Sequence, residues 1–181
     1  MINVGIIGFG TVGTGTVKIL CENRELLRER TGFEINLKRI ADIDIKRDRG
    51  VNIPRDILTT DVYSLLNDPQ IDIVVELIGG LTPAKDFILK AIQNRKHVVT
   101  ANKALLATAG NEIFTAALEA GVEIGFEASV AGGIPIIKVI REGLVANRIK
   151  AVYGIINGTS NYILTNTPTN GRAGFGVVVN Y

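Results

Sequence analysis

One cysteine and one histidine are all that this chain of 181 residues contains of those types, and each scarcity closes off a class of chemistry. Cys21 has no partner for an internal disulfide, which fits a reducing cytoplasm. With His97 the sole histidine, no Ser–His–Asp or Cys–His pairing suggests itself, and there is no metal-ligand cluster of Cys and His. No apolar run approaches the roughly 18 residues of a membrane span, because charged or polar residues interrupt each one. The N-terminus lacks the basic region and small-residue cleavage site of a secretory signal. A net charge of +2, with no long basic block, gives no reason to expect nucleic acid. What is present, 46% apolar and 21% charged residues, is the composition of an ordinary globular protein of one domain, or one plus part of another.

The most informative stretch comes first. GIIGFGTVGTG, residues 5–15, follows a short β-branched apolar run and precedes Val17, Leu20 and Leu27, which can share a helix face. Gly8, Gly10 and Gly13 give the spacing G-x-G-x-x-G between a strand and a helix. Each glycine has a physical task there. Gly8 permits a tight turn, Gly10 lets a pyrophosphate approach the backbone, and Gly13 lets helix and strand pack closely. The helix N-terminus adds unpaired N–H groups and a positive dipole end.

Further along, strands alternate with helices. Strands are expected over 33–40, 71–78, 97–100 and 122–126, with KRDRGVNIPRD (46–56) as a loop. Asp61 is expected to cap a short helix ending at Leu66, and Thr82 a helix with Pro83 at its first position, running to Asn94. Another helix is expected over 111–120, stopped by Gly121. This alternation predicts right-handed βαβ units, hence a doubly wound parallel sheet of the Rossmann type, over residues 1–128. A helix over 134–144 and a strand over 149–156 read as the start of an α+β second domain, 129–165. The stretch NTPTNGRAGFGVVVNY, 166–181, reads as an atypical tail without a coherent element.

Several side chains could carry chemistry. Asp42 closes the second strand, where an acid can meet ribose hydroxyls or merely open a turn. Lys46, Arg47 and Arg49 could receive a 2′-phosphate or form a solvated loop, so NAD and NADP stay open. Lys103, in TANKALLATAG, sits at the carboxyl edge of the sheet, where it could polarise a carbonyl or relay a proton, or be a plain surface lysine. His97 reads as a packing residue. Glu127 lies in FEASVAGGIPII, whose exposed carbonyls could help it hold a hard cation. In GIINGTSNYIL, Asn157, Gly158 and Thr159 follow a strand and could equally form a helix cap.

Taken in order, GFGTVG, VVELIGG, HVVTANKALLA, FEASVAGGIPII and GIINGTSNYIL resemble homoserine dehydrogenase over about residues 1–165. That resemblance implies reversible NAD(P)-dependent interconversion of L-homoserine and L-aspartate 4-semialdehyde, on the route to threonine, methionine and isoleucine. It implies that Gly8, Phe9, Gly10, Thr11, Val12 and Gly13 cradle the pyrophosphate and that Ile78 and Gly79 border the nicotinamide. Lys103 would touch cofactor and substrate as a catalytic lysine. Glu127, with the backbone of Val130, Gly132 and Ile134, would form a sodium site. Asn157, Gly158 and Thr159 would line the junction of the cofactor and substrate domains, and the family would be a homodimer. The family's next helix, its substrate-binding carboxylates and its second lysine are not matched after NYIL. The alternative expectation is therefore a dinucleotide-binding module without turnover. A kinship with aspartate-semialdehyde dehydrogenase would need a nucleophilic cysteine at the sheet edge, whereas Cys21 falls on the first helix.

Overall fold

The computed structural model describes residues 1–154. Its centre is a six-stranded sheet in the order β3-β2-β1-β4-β5-β6, with every neighbouring pair parallel. The strands are β1 (Ile2–Ile7), β2 (Ile35–Ala41), β3 (Leu58–Thr59), β4 (Ile73–Glu76), β5 (His97–Thr100) and β6 (Ile124–Gly125). Between them run α1 (Thr11–Glu22), α2 (Arg24–Thr31), α3 (Val62–Leu66), α4 (Ala84–Gln93) and α5 (Lys103–Ala120). The expected doubly wound sheet is present.

Strand periodicity sorts the core into two clusters. Val4 and Ile6 join Val17 of α1, Ile40, and the half-buried Ile73 and Val75. Ile7, Val74, Val98 and Ile124 join Leu65, Ile88 and Ile113 from α3, α4 and α5. Successive residues of one strand enter different clusters because their side chains point to opposite faces. Burial of such side chains on both faces is what makes the parallel arrangement stable.

Several boundaries differ from expectation, each for a local reason. The helix expected over 111–120 begins at Lys103, because Asn102 caps it by accepting the Leu105 N–H at 3.1 Å. The helix expected from a Thr82 cap begins at Ala84 with no side-chain cap; the Lys85 N–H reaches the Leu81 carbonyl at 3.0 Å instead. The charged stretch after the first helix is a separate helix, α2, set off at Asn23. Strand β4 is shorter than 71–78 and β6 shorter than 122–126. The loop 46–56 runs into a 3-10 turn, Arg55–Ile57, and the two-residue β3.

Contacts divide the chain between Ile134 and Pro135, past the expected boundary at 128. In the second unit, the helix expected over 134–144 is one short α segment, Ile136–Lys138, continued by a π turn, Val139–Gly143. Of the strand expected over 149–156, the described part holds only an isolated bridge at Val152.

Candidate functional site

In an open parallel sheet, ligands bind outside the carboxyl ends of the strands, where strand order reverses. Here that point lies between β1 and β4: the chain leaves β1 toward β2 and β3, then returns to place β4 on the other side. Five segments reach this edge in the first unit: the turn after β1, Asp42, residues 77–80, residues 101–103 and the turn after β6.

The turn after β1 is closed by glycine contacts. Gly8 adopts φ +101°, and a Cβ on Gly13 would stand 2.1 Å from the Gly8 carbonyl oxygen. Helix α1 can therefore start against the strand only because both residues lack side chains. A Cβ on Gly10 would meet nothing within 4 Å, so the space in front of it is open. Gly10 is the N-cap and makes no side-chain capping bond, which leaves the first N–H groups of α1 for another acceptor. Thr11 and Val12 are exposed beside it, with Val12 at 59%. Phe9 differs from its neighbours. Its ring is buried, and its N–H donates to Asp42 Oδ2 at 2.5 Å.

Asp42 is thus tied to the glycine turn. Its other oxygen accepts the Asp44 N–H at 2.8 Å and pairs with Arg49 at 3.3 Å. The Arg49 guanidinium lies 4.6 Å from the centre of the Phe9 ring, and its Nε donates to the Phe9 carbonyl. Of the three basic residues singled out from sequence, Arg49 is the one built into this edge, while Lys46 and Arg47 are exposed.

Across the reversal point, Ile78 and Gly79 are exposed, and Gly79 and Gly80 have φ +71° and +74°. Beneath them lies Glu76, fully buried at the end of β4. Its Oε1 accepts the N–H groups of Ile78 at 2.9 Å and Gly79 at 3.1 Å, and its Oε2 accepts the Thr100 hydroxyl at 2.7 Å. Thr100 Oγ1 accepts the Asn102 N–H at 3.0 Å, and Asn102 Nδ2 donates to the Gly80 carbonyl at 2.7 Å. Lys103, the first residue of α5, is exposed next to this ring of bonds. Sequence reasoning placed Lys103 but passed over Glu76. An acid inside the apolar run IVVELI, three positions before a diglycine, was the available signal.

Glu127 opens a 3-10 turn, Glu127–Ser129, beyond β6, and the chain then turns through Ala131 at φ +55° and Gly132 at φ +61°. Val130 is half-buried, and Gly132 and Ile134 are exposed. Among the described residues no group of three or more His, Cys, Asp or Glu side chains could hold a metal. His97, expected as a packing residue, is instead exposed at the start of β5, where its Nδ1 accepts the Glu123 N–H at 3.1 Å. Asn157, Gly158 and Thr159 lie outside the described residues. No helix among the described residues is long and apolar enough to cross a membrane.

Comparison with known proteins converges on one family. Residues 8–127 match the model of the homoserine dehydrogenase NAD binding domain, and residues 135–180 match that of homoserine dehydrogenase itself. The second match runs through most of the stretch read from sequence as an atypical tail. Homoserine dehydrogenase of Pseudomonas aeruginosa is 53% identical over 173 residues, covering 94% of this chain and 39% of that protein. The Bacillus subtilis enzyme is 46% identical over 164 residues, 91% of this chain and 38% of the relative. A homoserine dehydrogenase structure from Thiobacillus denitrificans superposes with a TM-score of 0.82 at 54% identity, covering 90% of this chain and 38% of that one. A hyperthermophilic archaeal homoserine dehydrogenase in complex with NADPH gives a TM-score of 0.75 at 29% identity, over 91% of this chain and 55% of that one. The chain thus spans well under half the length of its curated relatives, and it belongs to the homoserine dehydrogenase family.

Proposed function

We propose that residues 1–134 bind a nicotinamide dinucleotide at the reversal point, as the cofactor part of an enzyme interconverting L-homoserine and L-aspartate 4-semialdehyde. The observation that carries this is the turn from Gly8 to Gly13. A Cβ is excluded at Gly13, the space before Gly10 is open, and the N-terminus of α1 is uncapped. Those features suit a pyrophosphate, which needs close backbone approach and several N–H donors. Gly8, Gly10, Thr11, Val12 and Gly13 supply that cradle. Phe9 instead supports it from below, because its N–H is held by Asp42.

Asp42 and Arg49 stand at the adenosine end. The Asp42 charge is partly offset by Arg49, so this edge suits both ribose hydroxyls and a 2′-phosphate, and both NAD and NADP are accepted. Ile78 and Gly79 border the nicotinamide, which supplies hydride transfer when bound. Lys103 faces the same edge and can donate a hydrogen bond or a proton to a substrate oxygen. Glu127 and the carbonyls of Val130, Gly132 and Ile134 are the proposed sodium site, since a carboxylate with neutral carbonyls suits a hard monovalent cation. The reducing cytoplasm is the compartment that the exposed lone thiol of Cys21 fits.

Calorimetric titration with NADH and NADPH tests the reading. Gly10→Val fills open space without touching the fold, so the variant should stay folded and lose at least about tenfold in affinity for both cofactors. Unchanged affinity would remove the cradle from the site.

A further inference from the structure

Glu76 is costly to place where it is. A fully buried carboxylate gives up its hydration, and a role in packing alone would be served by an apolar side chain without that penalty. Its acceptors are instead directed at the backbone that forms one wall of the crevice. Two bonds go forward to the Ile78 and Gly79 N–H groups, and one goes sideways to Thr100 on the neighbouring strand. Thr100 then holds the Asn102 backbone, and Asn102 both caps α5 and returns to the Gly80 carbonyl. The bonds close a ring through the ends of β4 and β5. Inside it, the left-handed turn at Gly79 and Gly80 and the first turn of α5 are fixed relative to each other.

We propose that Glu76 is the positioning residue for the nicotinamide half of the cofactor. Its carboxylate sets the path of residues 78–80, and through Thr100 and Asn102 it sets the helix start that carries Lys103. This rests on the reading of the reversal point as a dinucleotide site. The adenosine end is organised separately, by Asp42, Arg49 and the glycine turn, with no hydrogen bond to this ring among those described. The two halves of the ligand should therefore respond differently to a change at Glu76.

The probes are NADH and ADP-ribose, which share the adenosine and pyrophosphate but differ in the nicotinamide. Both are titrated into the whole chain and into Glu76→Ala and Glu76→Gln. Glu76→Ala should weaken NADH about tenfold or more while ADP-ribose changes less than about threefold. Glu76→Gln keeps the volume and an acceptor for the two N–H groups but leaves the Thr100 hydroxyl proton without its acceptor. It should fall between wild type and Glu76→Ala for NADH, again with ADP-ribose little changed. If Glu76→Ala does not fold, Glu76→Gln alone decides. Equal losses for both probes would mean that Glu76 only holds the fold together, and no loss for either would mean that the ring is idle; each overturns the proposal. Wild-type protein that bound neither probe would overturn the cofactor reading, and this inference with it.

Discussion

Lys96 is 3% exposed, an unusual place for an ammonium group. Its Nζ donates to the carbonyls of Asp68 at 2.5 Å and Ile71 at 2.8 Å, tying the segment before β4 to the segment before β5. Burial pushes its pKa below the ordinary 10.5, and the nearby Asp68 and Asp72 charges only partly counter this. The sign of the consequence follows from proton counting. Between the lowered folded value and the ordinary one, the unfolded chain holds more protons, so unfolding becomes harder as pH rises. Urea unfolding of wild type and Lys96→Met should therefore show the stability gap widening in favour of wild type as pH rises toward the ordinary lysine value of 10.5. A gap that stayed constant would mean that Lys96 holds its charge equally in both states. Lys96 lies at the amino ends of the strands, so cofactor affinity should not follow this change.

Single residues also mark how far the bare sequence could be read. Asp42 and Lys103 were placed at the correct edge because strand ends are visible as changes of pattern. The bonds of Asp42 to Phe9 and Arg49 were not visible, since partners separated by loop residues leave no periodicity. Glu76 stayed hidden for a related reason: an acid in IDIVVELI reads as an interruption of a strand, and its acceptors are backbone groups that a sequence does not display.

At the scale of elements, helix α1 holds two glycines with opposite fates. Gly13 and Gly15 both lie within Thr11–Glu22, and a helix gains about 0.5–1 kcal/mol when glycine becomes alanine. A Cβ at Gly15 meets nothing within 4 Å, so Gly15→Ala should realise that gain. At Gly13 the added carbon would stand 2.1 Å from the Gly8 carbonyl oxygen. Forcing strand and helix apart costs about 1–3 kcal/mol or more, enough to exceed the propensity gain. Gly13→Ala should thus destabilise the protein while Gly15→Ala stabilises it, as midpoints of urea unfolding would show. If both moved the midpoint upward, the close approach of α1 to β1 would not exist. Helix α5 carries a related lesson. A start at residue 111 was expected, but alanine and leucine around Gly110 outweigh one glycine, and the Asn102 cap moves the start to Lys103. Strand β3 escaped notice because two residues are too few for alternation to register.

For the whole molecule, alternation of strands and helices was enough to predict a parallel doubly wound sheet, because such a chain has few other right-handed solutions. The order of strands carries a consequence for time rather than for space. Strand β1 pairs with β2, Val4 opposite Leu37, but its other neighbour is β4, with Val4 opposite Ile73. The second pairing closes a much longer loop and is entropically the later event. The crevice between β1 and β4 does not exist until that pairing forms, so the ligand has no complete site during most of the folding reaction. Saturating NADH should accordingly leave the refolding rate nearly unchanged and slow unfolding, the partition expected for interactions absent from the transition state. Stopped-flow refolding and unfolding with and without NADH would measure both arms. Refolding that quickened in proportion to NADH would place the β1–β4 pairing early. Under the expected outcome, the cofactor protects a finished protein from opening and does not recruit the chain that makes it.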